Sequence, residues 1–236
     1  MGKHRIILAL DVDSTGKAVE LVRLLRDEVG AFKVGLELVN NAGFEVFEKL
    51  KTAGARRVFY DAKFHDIPNT VAGACRAVAR MGLWMVNLHC SGGLEMMKAA
   101  RKAVDQSAAE ARIERPLLIG VTVLTSLDQD SFDRAVRAPG GIEDHVVSLA
   151  RLAWEARLDG VVASAHEIEP VRSACGHGFL IITPGVRPEG GEAGDQKRVT
   201  TPEEAVRRGA DYLVIGRPIT SAPDPVAAAR AIAAAI

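Results

Sequence analysis

Short apolar runs alternate with longer amphipathic stretches along the whole chain. The runs at 5–12 (RIILALDV), 31–37 (AFKVGLE), 56–63 (RRVFYDAK) and 84–90 (WMVNLHC) are rich in aliphatic and β-branched residues, as are 116–124 (PLLIGVTVL), 160–164 (GVVAS), 179–184 (FLIITP) and 211–216 (DYLVIG). They predict eight strands. Between them apolar residues recur every third or fourth position, as in GKAVELVRLLRDEV (16–29), GFEVFEKLKTAG (43–54) and GIEDHVVSLARLAWEARL (141–158). That period predicts helices. The helix after the third strand is expected to begin near Pro68, because proline suits a first helical turn.

A helix after each strand requires a parallel sheet with helical crossovers. Eight such units in 236 residues predict a (β/α)8 TIM barrel, a single domain over residues 1–236. A doubly wound open sheet is the alternative. The segment after the first strand, ALDVDSTGK, has neither GxGxxG nor GxxxxGK[ST], so no dinucleotide or P-loop fingerprint supports it. Barrel active sites form at the carboxyl ends of the strands, which makes the polar residues at those ends the candidates for chemistry.

The first three strand ends carry charge: Asp11, then Lys33, then Asp61 and Lys63. Residues two apart on a strand share a face, so Asp61 and Lys63 point the same way. Two ion pairs at a strand end account for any one of these residues. Four together imply function, since burying half-paired charge costs on the order of several kcal/mol that apolar residues would not. Asp66 lies just ahead of Pro68, where capping of the helix is an alternative to a chemical role. Thr125 and Ser126 end strand five as hydroxyls suited to a base or amide, or as caps of the next helix. The loop TPGVRPEGGEAGDQKR (183–198), with Arg187 and Gln196, and the segment IGRP, with Gly216 and Arg217, follow strands seven and eight. Barrels commonly bind phosphate there, where glycines admit backbone N–H groups and arginine grips an anion with two bonds. His65 and His89 do not assemble into a metal site by their spacing.

Composition narrows the function classes. With 48% apolar and 25% charged residues, zero formal net charge and a pI near 7.0, the chain reads as a soluble globular protein without a nucleic-acid or membrane surface. The start, MGKHRIILALDVDS, has neither signal-peptide shape nor membrane-spanning length, and three scattered cysteines fit no disulfide frame or zinc site. A cytoplasmic protein is expected.

The motifs ALD (9–11), KVG (33–35), DAKFHDIPNT (61–70), VTVLTS (121–126), TPGVRP (183–188), GDQKR (194–198) and VIGRPIT (214–220) occur in this order. With them the chain closely resembles the bacterial orotidine 5′-phosphate decarboxylase family, from the first strand to the last. The resemblance implies cofactor-independent, metal-free decarboxylation of orotidine 5′-monophosphate to uridine 5′-monophosphate, the last step of de novo pyrimidine synthesis. It implies a catalytic array of Lys33, Asp61, Lys63 and Asp66, with Lys63 as proton donor to C6. Asp66, Ile67 and Thr70 would come from the partner subunit of a homodimer. Asp11 and Lys33 would contact the ribose, and Thr125 and Ser126 the pyrimidine. Arg187, Gln196, Gly216 and Arg217 would serve the phosphate end. A related barrel group decarboxylates sugar phosphates such as 3-keto-gulonate 6-phosphate with magnesium. It uses a glutamate on strand two, where this chain has Lys33, and an ammonium there repels a metal. A non-catalytic nucleotide-phosphate binder is the other rival, and it has no need of the four-charge array.

Overall fold

The alternation of strand and helix closes on itself. The computed structural model describes residues 2–137, 140–188 and 200–236. Its eight strands are β1 (Ile6–Ala9), β2 (Ala31–Val34), β3 (Val58–Phe64), β4 (Met85–His89), β5 (Leu117–Val121), β6 (Gly160–Val162), β7 (Leu180–Thr183) and β8 (Tyr212–Ile215). They form a closed parallel barrel in sequence order, with β8 paired back to β1. The helices around it are α1 (Thr15–Leu25), α2 (Leu36–Ala42), α3 (Glu45–Thr52), α4 (Pro68–Ala79), α5 (Leu94–Ala111), α6 (Gln129–Ala135), α7 (Ile142–Glu155), α8 (Ile168–Cys175), α9 (Pro202–Arg208), α10 (Arg217–Thr220) and α11 (Pro225–Ala235). The open-sheet alternative is excluded, and all eight expected strands are present.

Their limits differ from expectation in an instructive way. The first strand stops at Ala9 rather than residue 12, although the Leu10 N–H still donates to the Lys33 carbonyl at 2.9 Å. The ladder ends where the charged positions begin, because the chain there leaves the sheet to form the rim. Leu36 and Glu37, expected in strand two, open helix α2 with Gly35 at its N-cap position. Gly43, at φ +69°, then separates α2 from α3, a backbone turn that glycine adopts without the Cβ clash of other residues.

The core has two compartments, as period-two strands between an interior and a helical shell require. Ile6 and Leu8 pack outward in the large cluster beneath the helices. Ile7, Ala31, Phe59, Met85, Ile119 and Ile182 form a separate cluster within the barrel. At the amino end, Asp159 ties neighbouring units together. It accepts two bonds from Arg115 at 2.7 Å, one from Arg101 at 3.2 Å and one from the Leu118 N–H at 2.8 Å. Next to it Gly160 allows β6 and β7 to close, since a Cβ there would lie 2.2 Å from the Leu180 carbonyl oxygen. Cys75 and Cys90 are free and buried, and burial pushes both thiols up to about 12, which makes them packing residues rather than nucleophiles. No helix among the described residues is long and apolar enough to cross a membrane.

Candidate active site

The inward face of the barrel changes character one layer above its apolar plug. Two residues beyond Ala31, Phe59 and Met85 on the same strand faces come Lys33, Asp61 and Asn87. This parity explains why opposite charges follow buried runs: they are the next inward layer, facing the barrel mouth. A cavity of about 530 Å³ opens over them.

Asp61 is the hub. Its Oδ1 accepts from Lys63 Nζ and from Asn87 Nδ2, each at 2.7 Å, and its Oδ2 lies 3.2 Å from Lys33 Nζ. Lys33 in turn donates to Asp11 Oδ1 at 2.9 Å. Asp61 and Lys33 are only 9% and 8% exposed, so each charge depends on its partners. Burial, the largest influence on the Asp61 carboxyl, works to raise its pKa. The charges of Lys33 and Lys63 and the bonds from Lys63 and Asn87 outweigh it and hold the carboxyl below the usual aspartate value. For Lys33, burial works to lower the pKa, but Asp61 and Asp11 outweigh it and hold the ammonium above its usual value. Asp61 therefore contributes stability that is present above the unfolded aspartate value and is lost as pH falls through the depressed folded one. Lys33 contributes stability that is present below the unfolded lysine value and is lost as pH rises through the raised folded one. Between those limits Asp61 and Lys33 both stay charged.

The backbone at Lys63 is unusual. The β3–β4 register runs Tyr60 to Val86 and then jumps to Phe64 opposite Leu88, so four steps on β3 match two on β4. Lys63 sits inside this bulge at φ +50°, the left-handed region that costs a non-glycine residue roughly 1–2 kcal/mol. Its N–H, deprived of a ladder carbonyl, donates to Asn87 Oδ1 at 2.7 Å. Asn87 is a site residue that the charged strand ends alone do not reveal. The signal that would have found it is its inward parity on β4, two residues beyond Met85. Beside it, His89 packs its ring 5.4 Å from that of His65. Burial, then the charges of His65 and Lys63, depress the His89 pKa, so the neutral imidazole is favoured.

The other candidates divide into those that face this cavity and those that do not. Thr125, Ser126, Arg187, Gly216 and Arg217 line it together with Asp11, Lys33, Asp61 and Lys63. Asp128 caps α6 by accepting from the Ser131 N–H, so Thr125 and Ser126 are not that helix's caps. Arg187 is buried. Its N–H donates to the Thr200 carbonyl at 2.9 Å, which brings the two ends of the loop after β7 together. Gln196 lies outside the described residues. Asp66, Ile67 and Thr70 are exposed and stand outside their own chain's cavity. Ile67, not Asp66, occupies the N-cap position of α4, and Asp66 Oδ1 instead accepts from the Ile67 N–H at 2.6 Å.

Fold and site together define a (β/α)8 barrel with a charged cavity at the carboxyl ends of its strands. The family described as "Orotidine 5'-phosphate decarboxylase / HUMPS family" matches residues 4–232. The chain belongs to that family. It is 55% identical over 234 residues to the orotidine 5'-phosphate decarboxylase of Moorella thermoacetica, covering 99% of this chain and 92% of that protein. It is 48% identical to that of Syntrophomonas wolfei, covering 96% and 95%. A crystal structure of the Lactobacillus acidophilus orotidine 5'-phosphate decarboxylase superposes with a TM-score of 0.84 at 35% identity, covering 98% of this chain and 97% of that one. With decarboxylases matched over nearly its full length, the chain is a carboxy-lyase.

The strain at Lys63 is measurable. In a regular strand glycine is less stable than alanine by roughly 0.5–1 kcal/mol. At this left-handed position the order should reverse, with Lys63→Gly more stable than Lys63→Ala by about 1 kcal/mol in urea denaturation.

Proposed function

We propose that the protein decarboxylates orotidine 5′-monophosphate to uridine 5′-monophosphate without a cofactor, the last step of pyrimidine nucleotide synthesis, as a cytoplasmic homodimer. The observation that carries this reading is the array in which buried Asp61 joins Lys33 and Lys63 at the floor of a cavity also lined by Arg187 and Arg217.

The chemistry requires such an array. Loss of CO₂ from C6 leaves an electron pair in the plane of the pyrimidine ring, with no adjacent carbonyl to delocalise it. The site must stabilise that charge directly, with preorganised cations in a water-poor setting. The Lys63 ammonium does this and then transfers a proton to C6, which balances the carbanion and leaves a neutral amine to be reprotonated from solvent. Asp61 anchors Lys63, and Lys33 completes the charge balance and reaches the ribose with Asp11. Thr125 and Ser126 read the pyrimidine. Arg187, Gln196, Gly216 and Arg217 hold the phosphate, whose remote binding energy orders the site around the reacting carbon. The Lys33 ammonium, 3.2 Å from Asp61, occupies the place where the magnesium-dependent reading needs an acidic ligand.

The dimer is supported by the segments that leave β2 and β3. Leu36 and Phe44 are about half exposed and Ile67 is 67% exposed, apolar side chains that a second copy would cover. Asp66, Ile67 and Thr70 then enter the neighbouring protomer's cavity, where Asp66 extends the alternation of charge beyond Lys63.

Two experiments test this function. Purified protein should convert orotidine 5′-monophosphate to uridine 5′-monophosphate, followed by absorbance, at the same rate with and without EDTA. Unchanged substrate would contradict the assignment, and loss of rate with EDTA would favour the magnesium reading. Lys63→Ala and Asp66→Asn protomers, each nearly inactive alone, should regain activity when mixed, because a mixed dimer holds one intact site of two. No recovery despite demonstrated subunit exchange would remove Asp66 from the partner's site.

A further inference from the structure

Asn87 makes two bonds that meet at one lysine. Its Oδ1 accepts the Lys63 N–H at 2.7 Å, and its Nδ2 donates at 2.7 Å to Asp61 Oδ1, the oxygen that also accepts Lys63 Nζ at 2.7 Å. One carboxamide thus holds both the backbone and, through Asp61, the ammonium of Lys63. Neither partner is interchangeable, since a backbone N–H only donates and an ionised carboxylate only accepts. The amide therefore has a single satisfactory orientation, and at 1% exposure no solvent competes for it. The bonds fall where the β3–β4 register shifts and Lys63 is left-handed, so regular strand pairing does not set that backbone in their place.

From this geometry we infer that Asn87 is a positioning residue for the decarboxylation: it locks the left-handed turn at Lys63 and the orientation of Asp61, so that the ammonium is presented to C6 in one direction. The role rests on the decarboxylase reading above. It differs from a structural role in what it predicts for catalysis. Substrate grip by Arg187, Arg217, Thr125 and Ser126 does not pass through Asn87, whereas the aim of the proton donor does. A displacement of about 1 Å at a reacting group is enough to cost about 100-fold in rate.

The test uses the full-length protein and two variants, with thermal unfolding recorded for each. Asn87→Ala should lower kcat about 100-fold and leave KM within about threefold, as expected when an interaction outside substrate binding is lost. The acid limb of kcat/KM should move to higher pH, because Asp61 loses a donor that favours its ionised form. Asn87→Asp keeps the shape and the acceptor for the Lys63 N–H but sets a second carboxylate against Asp61. It should be at least as impaired at neutral pH and should recover relative to the parent on acidification, when the new carboxyl is protonated and again donates to Asp61. Folded variants with kcat within threefold of the parent, or with lowered kcat and unshifted pH profiles, would overturn the role. Failure of both variants to fold would make Asn87 structural and overturn it equally. A parent that leaves orotidine 5′-monophosphate untouched removes the decarboxylase reading, and the role with it. A parent that turns over beside unimpaired variants removes the role alone.

Discussion

A buried carboxylate between two ammonium groups is the constraint on which the barrel mouth depends. Asp61 cannot stay ionised at 9% exposure without Lys33, Lys63 and Asn87, and Lys33 cannot stay buried without Asp61 and Asp11. Each member is costly alone, and the set is tolerable only as a unit. Apolar residues of similar volume would serve the barrel's stability at least as well, so stability alone does not account for the array. The apolar layer beneath, with Phe59 and Met85 two residues earlier on the same faces, gives the array a rigid floor.

Strand β3 carries unequal duties along its length. Val58 and Tyr60 pack outward under the helices, Phe59 fills the barrel, and Asp61 begins the site. Beyond Asp61 the ladder breaks, Lys63 turns left-handed, and the chain emerges at exposed Asp66 and Ile67. A regular strand would hold Lys63 by backbone pairing and would direct it by pleat alone. The bulge gives up that pairing and transfers the task to side chains, a common arrangement beside active sites.

Much of this was legible in the sequence, for physical reasons. Period-two and period-3.6 patterns report which face of an element is buried, so eight strands and the barrel could be read from them. The sharing of a face by Asp61 and Lys63 follows from the same parity, whereas the meeting of Asp11 and Lys33 depends on β1 lying beside β2. What stayed hidden depends on the backbone itself. No residue pattern announces the register jump between Tyr60 and Phe64, and lysine is not a residue type that signals a positive φ. Asn87 is hard to single out in the sequence because its nearest polar neighbour there is His89, whereas its partners in space are Asp61 and Lys63. The start of helix α2 is hidden because Leu36 extends the apolar run of β2, and Gly35 at the N-cap position marks where the strand gives way to the helix.

Asp61 remains a carboxylate because its partners overcome its burial. A ¹³C NMR titration of the side-chain carboxyl, assigned by the loss of its signal in Asp61→Asn, measures this directly. The expected midpoint lies below the ordinary aspartate value of about 3.9. A midpoint at or above that value would mean that burial wins, and that the array is not held together by an ionised Asp61.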